Sequence, residues 1–244
     1  MIYEQERIIG FGDLDANSDM KLTAFLKYIS EAAFLNAEEL GIGIDKTLET
    51  GLVFVIQRFG MKINQLPELN QKIIVRTWPG DITRSAFKRY GEFQDVDGNR
   101  LIEWETLWVL IDLNERKIKR PSSFPIEFPH YGKFDLTVAS DRIKIPEEAE
   151  AVASYHHPVR FSELDKLVHM NNAVYGDLVA NVLKIGDALD MKAWQEVQFN
   201  YIHEAKLDDD IVVAASKVEN DFYVSGNCGE KSIFSTKVTY KELV

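Results

Sequence analysis

The stretch Phe161-Ser-Glu-Leu-Asp-Lys-Leu-Val-His-Met-Asn-Asn-Ala-Val-Tyr175 sets four polar side chains, Asp165, His169, Asn171 and Asn172, directly before an apolar-periodic segment. Behind them Tyr175, Leu178, Val179, Val182 and Ile185 recur at helical spacing, and Gly186 suits the position past a helix end. The pattern predicts a polar loop feeding a helix N-terminus. Unpaired backbone N–H groups and the helix dipole make that end electropositive, so it favours a carboxylate or a carbonyl oxygen acquiring negative charge. The stretch reads as an active-site loop.

An earlier stretch repeats it. A shift of 150 residues lays Phe11-Gly-Asp-Leu-Asp-Ala-Asn-Ser-Asp-Met20 on Phe161 to Met170, matching Phe11 with Phe161, Leu14 with Leu164, Asp15 with Asp165 and Met20 with Met170. A helical pattern again follows, in Leu22, Phe25, Leu26, Ile29, Ala33, Ala37 and Leu40, closed by Gly41. The chain therefore reads as two copies of one unit. The copies part where chemistry is expected: Asp19 stands at the place of His169, and Lys21 and Leu22 at those of Asn171 and Asn172.

The 244 residues, 45% hydrophobic and 11% aromatic, are ordinary globular material. No apolar run approaches the roughly 20 residues that span a bilayer. The first residues lack the basic and apolar regions of a secretion signal, so the expected compartment is cytoplasmic. The single cysteine, Cys228 in Gly-Asn-Cys-Gly, reads as a turn thiol. A net charge of −11 argues against a nucleic-acid partner. His130, His156, His157, His169 and His203 show no zinc spacing, and no phosphate-cradling or dinucleotide motif is present, so neither metal nor cofactor is expected.

Residues 2–11 read as a strand and 21–40 as a long helix. Strands are expected at 52–63, 72–78, 85–95 and 101–113, with Asp97-Gly98 marking a hairpin. Both faces of the last are partly apolar, which places it centrally in a sheet. Pro121, Pro125 and Pro129 favour an extended connector. The second copy should run through a strand at 155–161, the loop and helix, and strands near 195–206, 211–219, 221–227 and 231–242. The division expected is 1–130, a connector at 131–154, and 155–244.

This order of elements, with Asp-x-x-x-His-Met-Asn-Asn-x-x-Tyr, resembles the hotdog fold. The tandem copies resemble the acyl-acyl-carrier-protein thioesterases of bacteria and plant plastids. The resemblance implies an α+β chain, a double hotdog in which each half packs a long helix on a curved antiparallel sheet. It covers nearly the whole chain. Its most specific piece is the second loop and the strand after it, where Tyr201, Glu204 and Ala205 follow Asp165, His169, Asn171, Asn172 and Tyr175. Leu167 and Ala205 replace the family's asparagine and cysteine, so a thiol nucleophile at that place is excluded.

By that resemblance the reaction is hydrolysis of a fatty acyl thioester on acyl carrier protein in fatty acid biosynthesis. Asp165, His169 and Glu204 are the catalytic candidates. Asn171 and Asn172 serve as helix caps or, with Tyr175 and Asp15, as substrate contacts. Strict strand alternation puts Glu204 on the solvent face unless a bulge intervenes. The first copy, lacking the histidine, is read as the acyl-chain-binding half and the second as the catalytic half. Carriers are acidic, as this chain is, so docking requires a local basic patch. Arg116, Lys117, Lys119 and Arg120 are the first candidates, and Arg84, Lys88 and Arg89 the second. A homodimer stays open. The alternatives are an acyl-coenzyme-A thioesterase, a dehydratase on the same fold, and a non-catalytic acyl-binding protein.

Overall fold

The computed structural model describes residues 2–241. It divides into two compact units, one formed by Met1–Gly10 with Tyr28–Ser140 and the other by Phe11–Lys27 with Asp141–Val244. The units are therefore not consecutive blocks of sequence, because the first polar loop and the opening turns of the first helix belong with the second unit.

In the first unit, β1 (Tyr3–Ile8), β2 (Leu52–Ile63), β3 (Lys72–Ile82), β4 (Phe87–Asp95) and β5 (Arg100–Asp112) form an antiparallel array in the order β1-β3-β4-β5-β2. A short β6 (Lys117–Lys119) pairs with β5. The helix α1 (Leu22–Glu39) and a six-residue α2 (Ile44–Glu49) precede β2. Within this unit Ala37 and Leu40 pack on Ile42, Leu52, Phe87, Leu110 and Phe124, so the apolar stripe predicted for the helix is the one that meets the core.

The second unit repeats the plan. Its strands β7 (Glu150–Pro158), β8 (Trp194–Tyr201), β9 (Asp210–Val218), β10 (Asp221–Cys228) and β11 (Lys231–Tyr240) take the order β7-β9-β10-β11-β8. The helix α3 (Val174–Ile185) ends at Gly186, as its sequence predicts. Tyr175 on α3 meets Tyr201 and Phe234 of the sheet edge-on, with ring centroids 5.3 and 5.0 Å apart. The α3 backbone also comes close to the start of α1: a Cβ on Gly176 would stand 2.8 Å from the Thr23 nitrogen.

β5 lies between β4 and β2, and both of its faces are covered. One covering layer is the irregular connector. Glu103 accepts hydrogen bonds from the Thr137 and Val138 backbone at 2.6 and 3.3 Å. Glu105 accepts from the Ser140 backbone and hydroxyl at 3.1 and 2.6 Å and lies 3.2 Å from Lys88. The passage is tight, since a Cβ on Gly60 would stand 1.9 Å from the Ala139 carbonyl oxygen. Two buried glutamates in a central strand are thus satisfied by the backbone and hydroxyl groups of a segment that forms no ladder of its own.

Several boundaries differ from the sequence reading. β7 spans Glu150–Pro158 rather than 155–161, and Phe161 begins a 3-10 turn. Most of β7 is exposed or half-buried, so no clean alternation marks where it starts. β8 stops at Tyr201 instead of running to 206. There the Ile202 and His203 amides both donate to the Ile233 carbonyl, at 2.9 and 3.1 Å, a bulge that ends the ladder. β3 continues to Ile82 through an irregularity after Pro79.

Candidate active site

The second loop is built around Asp165. Leu164 and Met170 form an isolated antiparallel bridge, and the Asp165 amide donates to the His169 carbonyl at 2.9 Å. The Asp165 carboxylate accepts the Leu167 and His169 amides at 2.8 and 3.4 Å. Val168 takes a φ of 64°, the left-handed conformation that closes the turn. The first loop has the same construction at a shift of 150 residues. Leu14 bridges Met20, the Asp15 carboxylate accepts the Asn17 and Asp19 amides at 2.8 and 3.0 Å, and Ser18 has a φ of 64°. Both aspartates therefore hold a loop in shape.

The difference lies in what each loop presents. His169 Nε2 stands 3.0 Å from Glu204 Oε2, with the imidazole 21% and the carboxylate 40% exposed. Glu204 reaches that position because the bulge at Ile202 and His203 takes the chain off the ladder. Two further bonds fix the segment: the Met170 amide donates to the Ala205 carbonyl at 2.9 Å, and Lys231 Nζ donates to the Glu204 carbonyl at 2.8 Å. In the first copy Asp19 occupies the place of His169. It is nearly buried, burial raises its carboxyl above the ordinary value, and Lys192 Nζ lies 3.4 Å away.

The remaining expected site residues divide by role. Asn171 Oδ1 accepts the Ala173 amide at 2.9 Å and so caps the approach to α3. The Asn172 carbonyl accepts the Tyr201 hydroxyl at 3.4 Å. Tyr175, expected as a substrate contact, is only 3% exposed and sits in the core. Its phenol hydrogen-bonds the Ala205 backbone, and burial pushes its pKa well above the usual phenol value. Sequence reading missed His157, whose Nε2 lies 3.0 Å from Glu163 Oε2 and ties β7 to the start of the loop. It also missed Lys231. Both come from other strands, and their spacing to the loop carries no signal.

The basic candidates are also resolved one by one. Arg89 is buried, its guanidinium donating to Asn36 and Thr77 at 2.7 and 3.2 Å, and burial lowers its pKa to about 10. Lys88 is held by Glu105. Arg84, Lys88 and Arg89 therefore do not form a docking patch. Arg116 and Lys117 are exposed at the β5–β6 turn, whereas Lys119 lies 3.5 and 3.1 Å from Asp112 and Glu115. Arg120 lines an apolar cleft with Arg84. Among the described residues no three His, Cys, Asp or Glu side chains gather as a metal site requires.

The same helix-on-sheet unit twice in one chain defines the tandem hotdog class. The chain is similar to the crystal structure of an acyl-ACP thioesterase from Bacteroides thetaiotaomicron, with 20% identity, 98% of each chain covered and a TM-score of 0.80. It is also similar to the 12:0-ACP thioesterase from Umbellularia californica, with 15% identity, 98% of this chain and 97% of that chain covered, and a TM-score of 0.82. At those identities the likeness is one of fold. Comparison with curated protein sequences gives no match. The family models supply the identity: the acyl-ACP thioesterase N-terminal domain matches residues 1–123 and the C-terminal domain residues 146–238. The chain belongs to the acyl-ACP thioesterase family. It is a thioester hydrolase that releases fatty acid from acyl carrier protein.

Proposed function

We propose that hydrolysis takes place at the His169–Glu204 pair, with water as the nucleophile. The observation that carries this reading is the 3.0 Å contact between His169 Nε2 and Glu204 Oε2 at the entrance to α3. Glu204 takes a proton from water as the water oxygen bonds to the thioester carbonyl carbon. The carbonyl electrons move to oxygen, and backbone N–H groups at the α3 entrance, that of Asn172 first, face the charge that develops. Collapse of the tetrahedral intermediate breaks the carbon–sulfur bond. The departing thiolate receives the proton through the His169 imidazole, which Glu204 orients.

Asp165 and Tyr175 act in this account as positioning residues. Asp165 shapes the loop that carries His169, and Tyr175 supports the segment that carries Glu204. Asn171 caps, and Asp15 performs for the first loop what Asp165 performs for the second. Ala205 leaves the segment without a thiol, which favours water as the attacking group. Intact-protein mass spectrometry during turnover of an acyl-carrier substrate tests that choice. Water attack predicts no acyl adduct at any time, whereas an adduct on Glu204 contradicts it.

For the carrier we assign Arg116 and Lys117 as the docking cations. They are exposed and carry no carboxylate partner among the described residues, unlike Lys119.

A further inference from the structure

The first unit contains a cleft that the chemistry above does not use. It has a volume of about 450 Å³ and lies between the β3–β4 turn and the segment after β6. That volume falls within the roughly 300–1,000 Å³ of pockets that hold small organic ligands. Its floor is apolar: Phe87 and Phe124 are buried, with Ile126 and Phe128 half-buried beside them. The rings pack closely, Phe87 and Phe128 with centroids 4.7 Å apart.

The rim is cationic. Arg84 and Arg120 both line the cleft and both are exposed. Neither has a carboxylate partner among the described residues, although the chain holds 39 acidic side chains against 28 lysines and arginines. Arg84 is presented by a tight turn. The Thr83 amide donates to the Ala86 carbonyl at 2.8 Å, and the Ala86 amide donates to the Thr83 hydroxyl at 3.0 Å. Arg120 immediately precedes the 3-10 turn Pro121–Ser123, where Pro121 fixes the backbone. Two guanidinium groups on stiff turns above an aromatic floor match a ligand with one anionic head and an aliphatic tail. Guanidinium groups favour carboxylate over a neutral hydroxyl because they offer charge-assisted, paired hydrogen bonds.

We propose that this cleft binds a free fatty carboxylate, with its head on Arg84 and Arg120 and its chain against Phe87, Phe124 and Phe128. The inference rests on the family reading only in that such a carboxylate is the product of the hydrolysis. The cleft is lined entirely by residues of the first unit and shares none with the His169–Glu204 pair.

The test uses dodecanoate and dodecanol, below micelle formation, on the full chain. Trp108 is the local reporter, because it packs on the cluster containing Phe87 and Phe124 and pairs with Phe87 across the sheet. Trp108→Phe supplies the blank. Dodecanoate should give a saturable change in Trp108 emission. Dodecanol, and dodecanoate with the Arg84→Gln/Arg120→Gln variant, should bind about tenfold or more weakly, the loss expected when charge-assisted hydrogen bonds are removed. Ile82→Glu, an exposed substitution on the cleft wall, should weaken dodecanoate in the same way. His169→Ala and Glu204→Gln should leave the Trp108 response unchanged, which keeps this result independent of where hydrolysis occurs. Equal binding by wild type and the double arginine variant, or equal affinity for dodecanol, overturns the proposal. Displacement of dodecanoate by carrier protein lacking an acyl chain also overturns it, and assigns the arginines to carrier docking.

Discussion

Asp19 and His169 occupy the same place in two loops of one design, and their surroundings separate them. Burial raises the Asp19 carboxyl above its ordinary value, so the folded chain holds that proton to higher pH than the unfolded chain does. The associated stability is complete below the unfolded value of about 3.9 and is lost as pH rises through the folded value. At neutral pH the buried charge is therefore a cost. Its partner Lys192 is 71% exposed, where an ion pair returns little. Asp19→Asn is expected to raise the melting temperature at pH 7, with the gain shrinking as pH falls toward about 4. A gain that does not change with pH would contradict this. At this scale the sequence exposed His169 and both loop aspartates. It left Glu204 undecided, because strict alternation points it to solvent and only the paired Ile202 and His203 bonds to Ile233 turn the chain toward His169. The aspartates were legible as a repeat and as loop-capping residues, and the fold fixes which amides each accepts.

At the scale of elements, two close approaches make predictions of opposite kind. Gly176 on α3 has no room for a side chain beside Leu22 and Thr23. Gly176→Ala should cost about 1–3 kcal/mol, the usual penalty of overpacking, measured as a shift in the urea midpoint. No shift would mean that the helix starts separate freely. Glu105 is buried and joins Lys88, Lys133 and Ser140. Glu105→Ala should cost about 2–3 kcal/mol by leaving those groups without their acceptor. It should also speed proteolysis between residues 131 and 140, and an unchanged digestion rate would show that the connector is held by other contacts. The long helices and most strands were legible because their periodicity is strong and Gly41, Gly98 and Gly186 punctuate it. Two elements were not, and the start of β7 was set five residues late. β7, with no buried residue, begins without clean alternation, α2 is too short for a period, and three-residue β6 exists only through its pairing with β5.

For the whole molecule, duplication frees one copy of a site from constraint while the other retains it. The two units share strand order and loop construction, yet among the described residues the loop's His–carboxylate pair stands only in the second. No helix among the described residues is long and apolar enough to cross a membrane. The chain carries a net charge of −11, so the docking proposed at Arg116 and Lys117 acts locally and weakens with ionic strength. Arg116→Glu/Lys117→Glu should raise KM for acyl-carrier substrates several-fold, on the order expected for rim charges, while leaving KM for acyl-coenzyme-A thioesters unchanged. Equal effects on both substrates would remove the docking assignment. The central claim, that chemistry occurs at His169 and Glu204, is tested most directly by steady-state hydrolysis of one fatty acyl-carrier substrate, with circular dichroism confirming the fold of each variant. Glu204→Gln and His169→Ala should each lower kcat by about 10²–10⁴-fold, while Asp15→Asn, whose amide oxygen can still accept the Asn17 and Asp19 amides, should stay within a few-fold of wild type. Wild-type turnover by Glu204→Gln, or a loss in Asp15→Asn as large as that in His169→Ala, would contradict the account.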